Sequence, residues 1–141
     1  MDEVNILFDT NVIPDVLLNR QPLIEESKKV WQANLNGRVK GYITAPTLLN
    51  IYYYATKKLG SEKGAGVVEI CLQAFQICAV DRKILEQASA MKGRDFEDDV
   101  QAACALAEGL DAIVTRNIKN VKNAGIKLYT PEQLVKKLKL R

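Results

Sequence analysis

Short apolar runs alternate with longer amphipathic stretches along this chain. Val4 to Phe8 is a short apolar run that stops at Asp9, the pattern of a buried strand in a parallel sheet. A helical stretch follows, with Pro14 allowed in its first turn. Pro22 opens a second helix, which turns Leu23, Val30, Trp31 and Leu35 inward and ends near Gly37. Tyr42 to Thr44 reads as a second strand, and a helix from Pro46 through Lys58 is stopped by Gly60. Ser61 begins a helix that runs to about Ala74, and Phe75 to Val80 reads as a third strand. Asp81 caps a helix that stops at Gly93. Asp95 or Asp98 caps the next, with Val100, Ala103, Cys104 and Ala107 on one face and Gly109 as its stop. Ala112 to Thr115 and Ile126 to Tyr129 are a fourth and a fifth strand, and Thr130-Pro131-Glu132-Gln133 caps a last helix. The pattern predicts an α/β fold with a small, mainly parallel five-stranded sheet flanked by helices.

The 141 residues hold no repeat, linker or low-complexity tract, so one domain over residues 1–141 is expected. Composition narrows the chemistry. There is no histidine, and the three cysteines (Cys71, Cys78, Cys104) lack the close pairing of a zinc site. A zinc enzyme, a Ser-His-Asp or Cys-His hydrolase and imidazole acid–base catalysis are therefore excluded. Carboxylates with a hard metal, phosphate-binding backbone and lysine remain. No apolar run approaches the roughly 18 residues of a membrane span, and Met1-Asp2-Glu3 lacks a basic leader. A cytoplasmic protein with reduced thiols is expected.

Charge is unevenly spread. From Arg116 onward there are eight basic residues and one acid, whereas the first 115 residues carry 12 basic and 16 acidic groups. A basic end on an acidic body suits a polyanionic partner, although a solvated helix face and a frayed tail explain the last four charges equally well.

Three segments could do chemistry. Asp9 stands at the carboxyl end of the first strand, where parallel α/β sheets bind ligands. A carboxylate half-buried there needs a cation, a metal or the N–H groups of the next helix, and simple capping of that helix would also account for it. Asp95-Phe96-Glu97-Asp98-Asp99 puts four acids in five residues before an alanine-rich helix. One or two acids suit a helix N-terminus; four repel one another, and paired carboxylates are what Mg²⁺ uses beside water and phosphate. Thr115-Arg116-Asn117-Ile118-Lys119-Asn120 follows the fourth strand and could bind a ligand or simply form a turn.

Taken in order, Phe8-Asp9-Thr10-Asn11, then Thr44 with Asn50 six residues on, then Asp98 opening an alanine-rich helix, then Val114-Thr115-Arg116-Asn117, the chain resembles the PIN domain. The likeness spans essentially the whole chain, including Tyr129-Thr130-Pro131-Glu132. PIN domains are best known as the toxin ribonucleases of VapC-type toxin–antitoxin pairs. The resemblance implies metal-assisted hydrolysis of RNA with Mg²⁺ or Mn²⁺ held by acidic side chains. It places the first acid on Asp9 and the third on Asp98, the expected metal ligands. The second and fourth acids fall on Asn50 and Asn117, so two expected carboxylates are amides, and Asn120 stands where a further aspartate is common. Asp95, Glu97 or Asp99 would have to compensate. The implied catalytic set is Asp9, Asp98, Asn117, Asn50 and Thr115, the last three orienting water or phosphate oxygens. Arg116 and Lys119 are the expected RNA contacts.

The implied partners are RNA and an antitoxin protein, with no membrane. Pairing of the chain with itself through the Tyr52–Tyr54 region would fit the resemblance. A PIN module without catalysis, binding RNA or a protein, is the alternative that the two amides favour. A phosphotransfer domain is a third reading. Phe8-Asp9-Thr10-Asn11-Val12 is similar to the haloacid-dehalogenase motif, yet Asn11 stands where that motif needs a second aspartate.

Overall fold

Strand β1 (Val4–Phe8) is apolar because both of its faces are covered. Ile6 and Phe8 enter one core and Leu7 the other, as the two-residue period of a strand requires. It is the central strand of the sheet. β2 (Val39–Thr44) and β3 (Gln76–Cys78) lie on one side of it, β4 (Ala112–Val114) and β5 (Lys127–Tyr129) on the other. Every neighbouring pair is parallel. The computed structural model describes residues 4–17, 24–116, 118 and 125–140.

Seven helices are described: α1 (Ile13–Leu17), α2 (Ile24–Leu35), α3 (Ala45–Leu59), α4 (Ser61–Ala74), α5 (Arg82–Met91), α6 (Phe96–Ala107) and α7 (Pro131–Leu138). Ile13, Val30, Ile51, Val67 and Leu134 bring α1 to α4 and α7 onto one face of the sheet. Ile84, Ala88, Val100 and Ala103 bring α5 and α6 onto the other. The chain therefore steps outward from β1 to β2 to β3, then crosses back to lay β4 against the free side of β1. Such a reversal opens a crevice at the carboxyl ends of the two strands it separates. Those ends are Phe8 and Val114.

The α/β class, the five parallel strands and the order of elements agree with the sequence expectation; several boundaries move. β2 begins at Val39, three residues early, because Val39 pairs with Val4 and Gly41 with Ile6. β3 is shorter than expected, since Phe75 ends α4 by donating its N–H to Cys71. Thr44 rather than Pro46 starts α3, its side chain accepting the N–H of Thr47. Asp95, not Asp98, caps α6. Leu35 is 55% exposed instead of inward, whereas Val30 and Trp31 are buried. Pro22 and Leu23 lie outside the described residues. All three cysteines are free and buried, and burial pushes Cys71 up to about 11, Cys78 to about 12 and Cys104 to about 11, so these thiols stay protonated. Among the described residues no helix is long and apolar enough to cross a membrane.

A glycine inside β2 is needed for space rather than for backbone freedom. Asn34 of α2 accepts the Gly41 N–H at 2.8 Å and donates to the Ala74 carbonyl at 2.8 Å, tying α2 to β2 and to the end of α4. A Cβ on Gly41 would lie 2.7 Å from Asn34 Oδ1 and 2.9 Å from a ring carbon of Phe75. Phe75 in turn packs edge-on against Phe8 and Trp31, with ring centres 5.0 and 5.4 Å away. Neither neighbour has room to retreat. Gly41→Ala is expected to lower the unfolding free energy by about 1–3 kcal/mol, as overpacking does. Urea unfolding measures this, and an unchanged midpoint would show that Asn34 and Phe75 yield.

Candidate functional site

Asp9 follows β1 directly, and its N–H continues the β1–β4 ladder by donating to the Val114 carbonyl at 3.0 Å. The backbone thus fixes where the carboxylate starts. Asp9 is only 6% exposed, and burying a charged group demands hydrogen bonds. It has two. Gln101 Nε2 donates to Oδ1 at 2.7 Å from α6, and Thr115 Oγ1 donates to Oδ2 at 2.6 Å from the end of β4. Both donors are neutral, so they orient the carboxylate without cancelling its charge. Each oxygen keeps a lone pair for another partner.

The residues beside Asp9 hold the loop that carries it. Thr44 and Thr47 share a hydrogen bond at 3.1 Å, and the Thr47 hydroxyl reaches that of Thr10 at 2.9 Å. Asn11 Oδ1 accepts the Arg116 N–H at 3.2 Å, and the Asn11 carbonyl accepts Arg116 Nε at 3.2 Å. Arg116 is therefore held at the rim by the loop opposite.

The acidic run at the start of α6 divides by function. Asp95 Oδ1 accepts the N–H of Asp98 as the helix cap, a use any helix N-terminus favours. Asp99 is buried and turned back to the Gly93 N–H, which it accepts at 2.8 Å. Asp98 and Glu97 line a cleft of about 530 Å³ together with Asp9, Asp95, Asn50, Tyr54 and Arg116. Asn50 Nδ2 crosses from α3 to Glu97 Oε1 at 2.9 Å. Burial first, then the charges of Asp9 and its acidic neighbours, push Asp98 up to about 6. Glu97 is raised as well, by burial and then by Asp95 and Asp9, with the Asn50 hydrogen bond opposing.

The fold thus brings Asp9, Asp98, Asn50 and Arg116 into one cleft from four separate stretches of sequence. Thr115 lies behind them, fully buried, with its hydroxyl on Asp9 instead of open to water or phosphate. Asn117, Lys119 and Asn120 lie outside the described residues. Gln101 and Asn11 were missed by sequence reasoning. Gln101 did carry a signal, as the polar residue inside the run Val100 to Ala105, one helical turn after Asp98.

A divalent cation can be weighed against this donor set. Among the described residues no three Asp, Glu, Cys or His side chains are grouped closely enough to hold a metal ion by themselves. Mg²⁺ asks for less, commonly one or two carboxylates with water and substrate phosphate completing its shell. Asp9 and Asp98, in a shared cleft where Asp9 raises the cost of ionising Asp98, meet that requirement.

The comparisons agree with this fold. The VapBC toxin–antitoxin complex of Salmonella typhimurium, solved bound to DNA, is similar with a TM-score of 0.71 at 23% identity, over 91% of this chain and 98% of that one. FitAcB of Neisseria gonorrhoeae is similar with a TM-score of 0.63 at 21% identity, over 90% and 98% of the two chains. A sarcin–ricin-loop-cleaving VapC toxin of Mycobacterium tuberculosis gives 0.63 at 15% identity, over 77% and 86%. No curated protein matches the sequence. The PIN-domain family model matches residues 5–119, a stretch that contains Asp9, Asn50, Asp98, Gln101 and Thr115, and the chain belongs to the PIN-domain family.

Proposed function

We propose that this PIN domain is a Mg²⁺- or Mn²⁺-dependent endoribonuclease, the toxin of a toxin–antitoxin pair. One observation carries the reading: a buried aspartate at the sheet's switch point, held by two neutral donors, shares an open cleft with a second carboxylate. The similar structures support it, since they include toxin–antitoxin complexes and a toxin that cleaves the sarcin–ricin loop. An antitoxin protein is the partner this reading implies, and RNA the substrate.

A cation bound there would lower the pKa of a bound water and offset charge on the phosphate. The chain's own side chains do the rest. Asp9 and Asp98 hold the cation, and Thr115 and Gln101 fix the Asp9 carboxylate in its rotamer. Arg116, steadied by Asn11, contacts the phosphate backbone from the rim, and Lys119 is the second expected RNA contact. Asn50 and Asn117 offer neutral oxygens and N–H groups to water or phosphate.

Asp98→Asn should abolish Mn²⁺-dependent cleavage of a fluorogenic RNA, because one carboxylate alone would then face a dication. The loss expected is at least a hundredfold, more than 2.7 kcal/mol in transition-state terms. Parental activity in a clean preparation of that variant would reject the site; inactivity of the parent itself would favour a PIN module that only binds.

Stability should also follow pH in a defined direction. The folded-state pKa of Asp98 lies above its ordinary value of 3.8, at about 6. Between these values the folded protein holds more protons than the unfolded chain, so metal-free stability falls as pH rises from about 4 to about 7. Melting temperatures across this range should show the fall, Asp98→Asn should flatten it, and Mn²⁺ should oppose it above pH 6. A metal-free profile that rises instead would contradict the crowding of carboxylates.

RNA affinity should fall steeply with salt. Arg116→Ala combined with Lys119→Ala should flatten the log–log slope by about one to two units, as the loss of two phosphate contacts does. A binding constant independent of salt would argue against nucleic acid.

A further inference from the structure

The basic residues at the end of the chain do not share one environment. Lys136 pairs with Glu132 at 3.3 Å on the exposed side of α7, and Arg141 lies outside the described residues. Lys139 is different. The Leu140 N–H donates to the Val135 carbonyl at 2.9 Å, and Leu140 packs against the core, so the chain is tied down as far as residue 140. Lys139 then lines a cavity of about 260 Å³ with Lys29, Gln32, Asn36 and Arg38. Arg38, from the turn before β2, donates from Nη2 to the Leu138 carbonyl, which fixes its planar fork beside the last turn of α7. Asn36 Oδ1 accepts the Arg38 N–H at 3.2 Å, so the NH₂ of that amide is the part left to face a ligand.

Three cations and two amides thus line one cavity, and no described acid does. Lys29 touches Glu26 at 3.7 Å, but both side chains are more than a third exposed, where such a pair counts for little. Cations gathered without an acid repel one another, and a bound anion removes that cost. Lys139 also has φ 54°, the left-handed conformation in which glycine usually closes a helix, so its side chain is kept at some backbone cost. From this we infer that the cavity takes a backbone phosphate of RNA, as a second contact remote from the acidic cleft. The inference rests on the ribonuclease reading given above and extends it to the size of the substrate. Arg38 precedes Val39, which pairs with Val4 at the start of β1, whereas Asp9 follows its end. The five residues of β1 rise about 3.3 Å each, so the two sites stand roughly 17 Å or more apart, at opposite ends of the sheet. A trinucleotide in the cleft does not reach the cavity; a stem of about ten base pairs, roughly 34 Å long, does. The substrate class is therefore folded RNA, oriented by a contact that carries no sequence information.

The test is titration of the whole chain into a fluorescent stem-loop RNA of about ten base pairs, followed by anisotropy at several salt concentrations in EDTA, where the RNA stays intact. Arg38→Gln combined with Lys139→Gly should weaken binding by on the order of tenfold at low salt and flatten the log–log slope by about one to two units. Cleavage of a Mn²⁺-dependent fluorogenic trinucleotide, which reaches only the cleft, should be unchanged. Lys139→Gly alone should leave the melting temperature unchanged or higher, since glycine suits the left-handed position. Lys136→Gln with Lys137→Gln is the comparison, because it removes two charges of α7 that do not line the cavity. If that pair flattens the slope as much, only the summed charge acts and the assignment falls. It falls too if cleavage of the trinucleotide drops in step with stem-loop binding. If the parent binds the stem-loop and the Arg38 and Lys139 variant binds it equally well, the cavity is not a contact while the ribonuclease reading stands. A parent that binds the stem-loop neither in EDTA nor with Mn²⁺ overturns both.

Discussion

A charge buried at the end of the central strand dictates much of what surrounds it. Asp9 could not sit there unaided, since withdrawing a carboxylate from water without compensation costs far more than one domain's stability allows. The compensation arrives from both directions. Thr115 is positioned by the β1–β4 pairing, and Gln101 by the packing of α6 against the opposite sheet face. The apolar run of α6, with Val100 and Ala102 to Ala105 all buried, brings that helix close enough for one amide to reach the strand end. Small side chains on α6 and a polar one among them are two halves of one requirement.

Neutral donors leave a consequence for the cleft. Had an arginine or lysine paired with Asp9, the site would be closer to electroneutral and of little use to a cation. Instead its two donors are neutral, and Asp98 and Glu97 are pushed upward partly by Asp9. The acids that stabilise the fold are those with backbone partners, Asp95 on its helix cap and Asp99 on Gly93. Asp98 and Glu97, which line the cleft beside Asp95, are there at some cost to the fold. The same five-residue segment therefore serves both structure and site, and the side-chain partner tells which acid does which.

That division explains what the sequence could disclose. Elements bounded by local chemistry were readable: the Thr130 capping box, the glycine stops and the apolar run ending at Asp9 all act within a few residues. The likeness to the PIN pattern located Asp9 and Asp98 for the same reason, since each stands at a recognisable boundary. Gln101 was not readable, because its partner lies 92 residues away and only the docking of α6 brings the two together. The four acids looked alike in the sequence; which faced inward depended on helix phase and on the Gly93 loop. The early start of β2 was hidden by Gly41, a residue that weakens a strand by propensity and is kept for the room it gives Asn34.

The Thr115–Asp9 hydrogen bond also has a meaning in time. It joins residues 106 positions apart, so nearly the whole chain must be made before the first site aspartate can be held. Contacts of such sequence separation form late, after the loop between them has been closed at an entropic cost. A nascent chain that has emerged as far as β3 contains β1, β2 and Asp9 but lacks α6 and β4, and with them both donors and the opposing acids. The order of the strands thus means that an incomplete chain cannot assemble the cleft, whose last parts come only with the final third of the polypeptide.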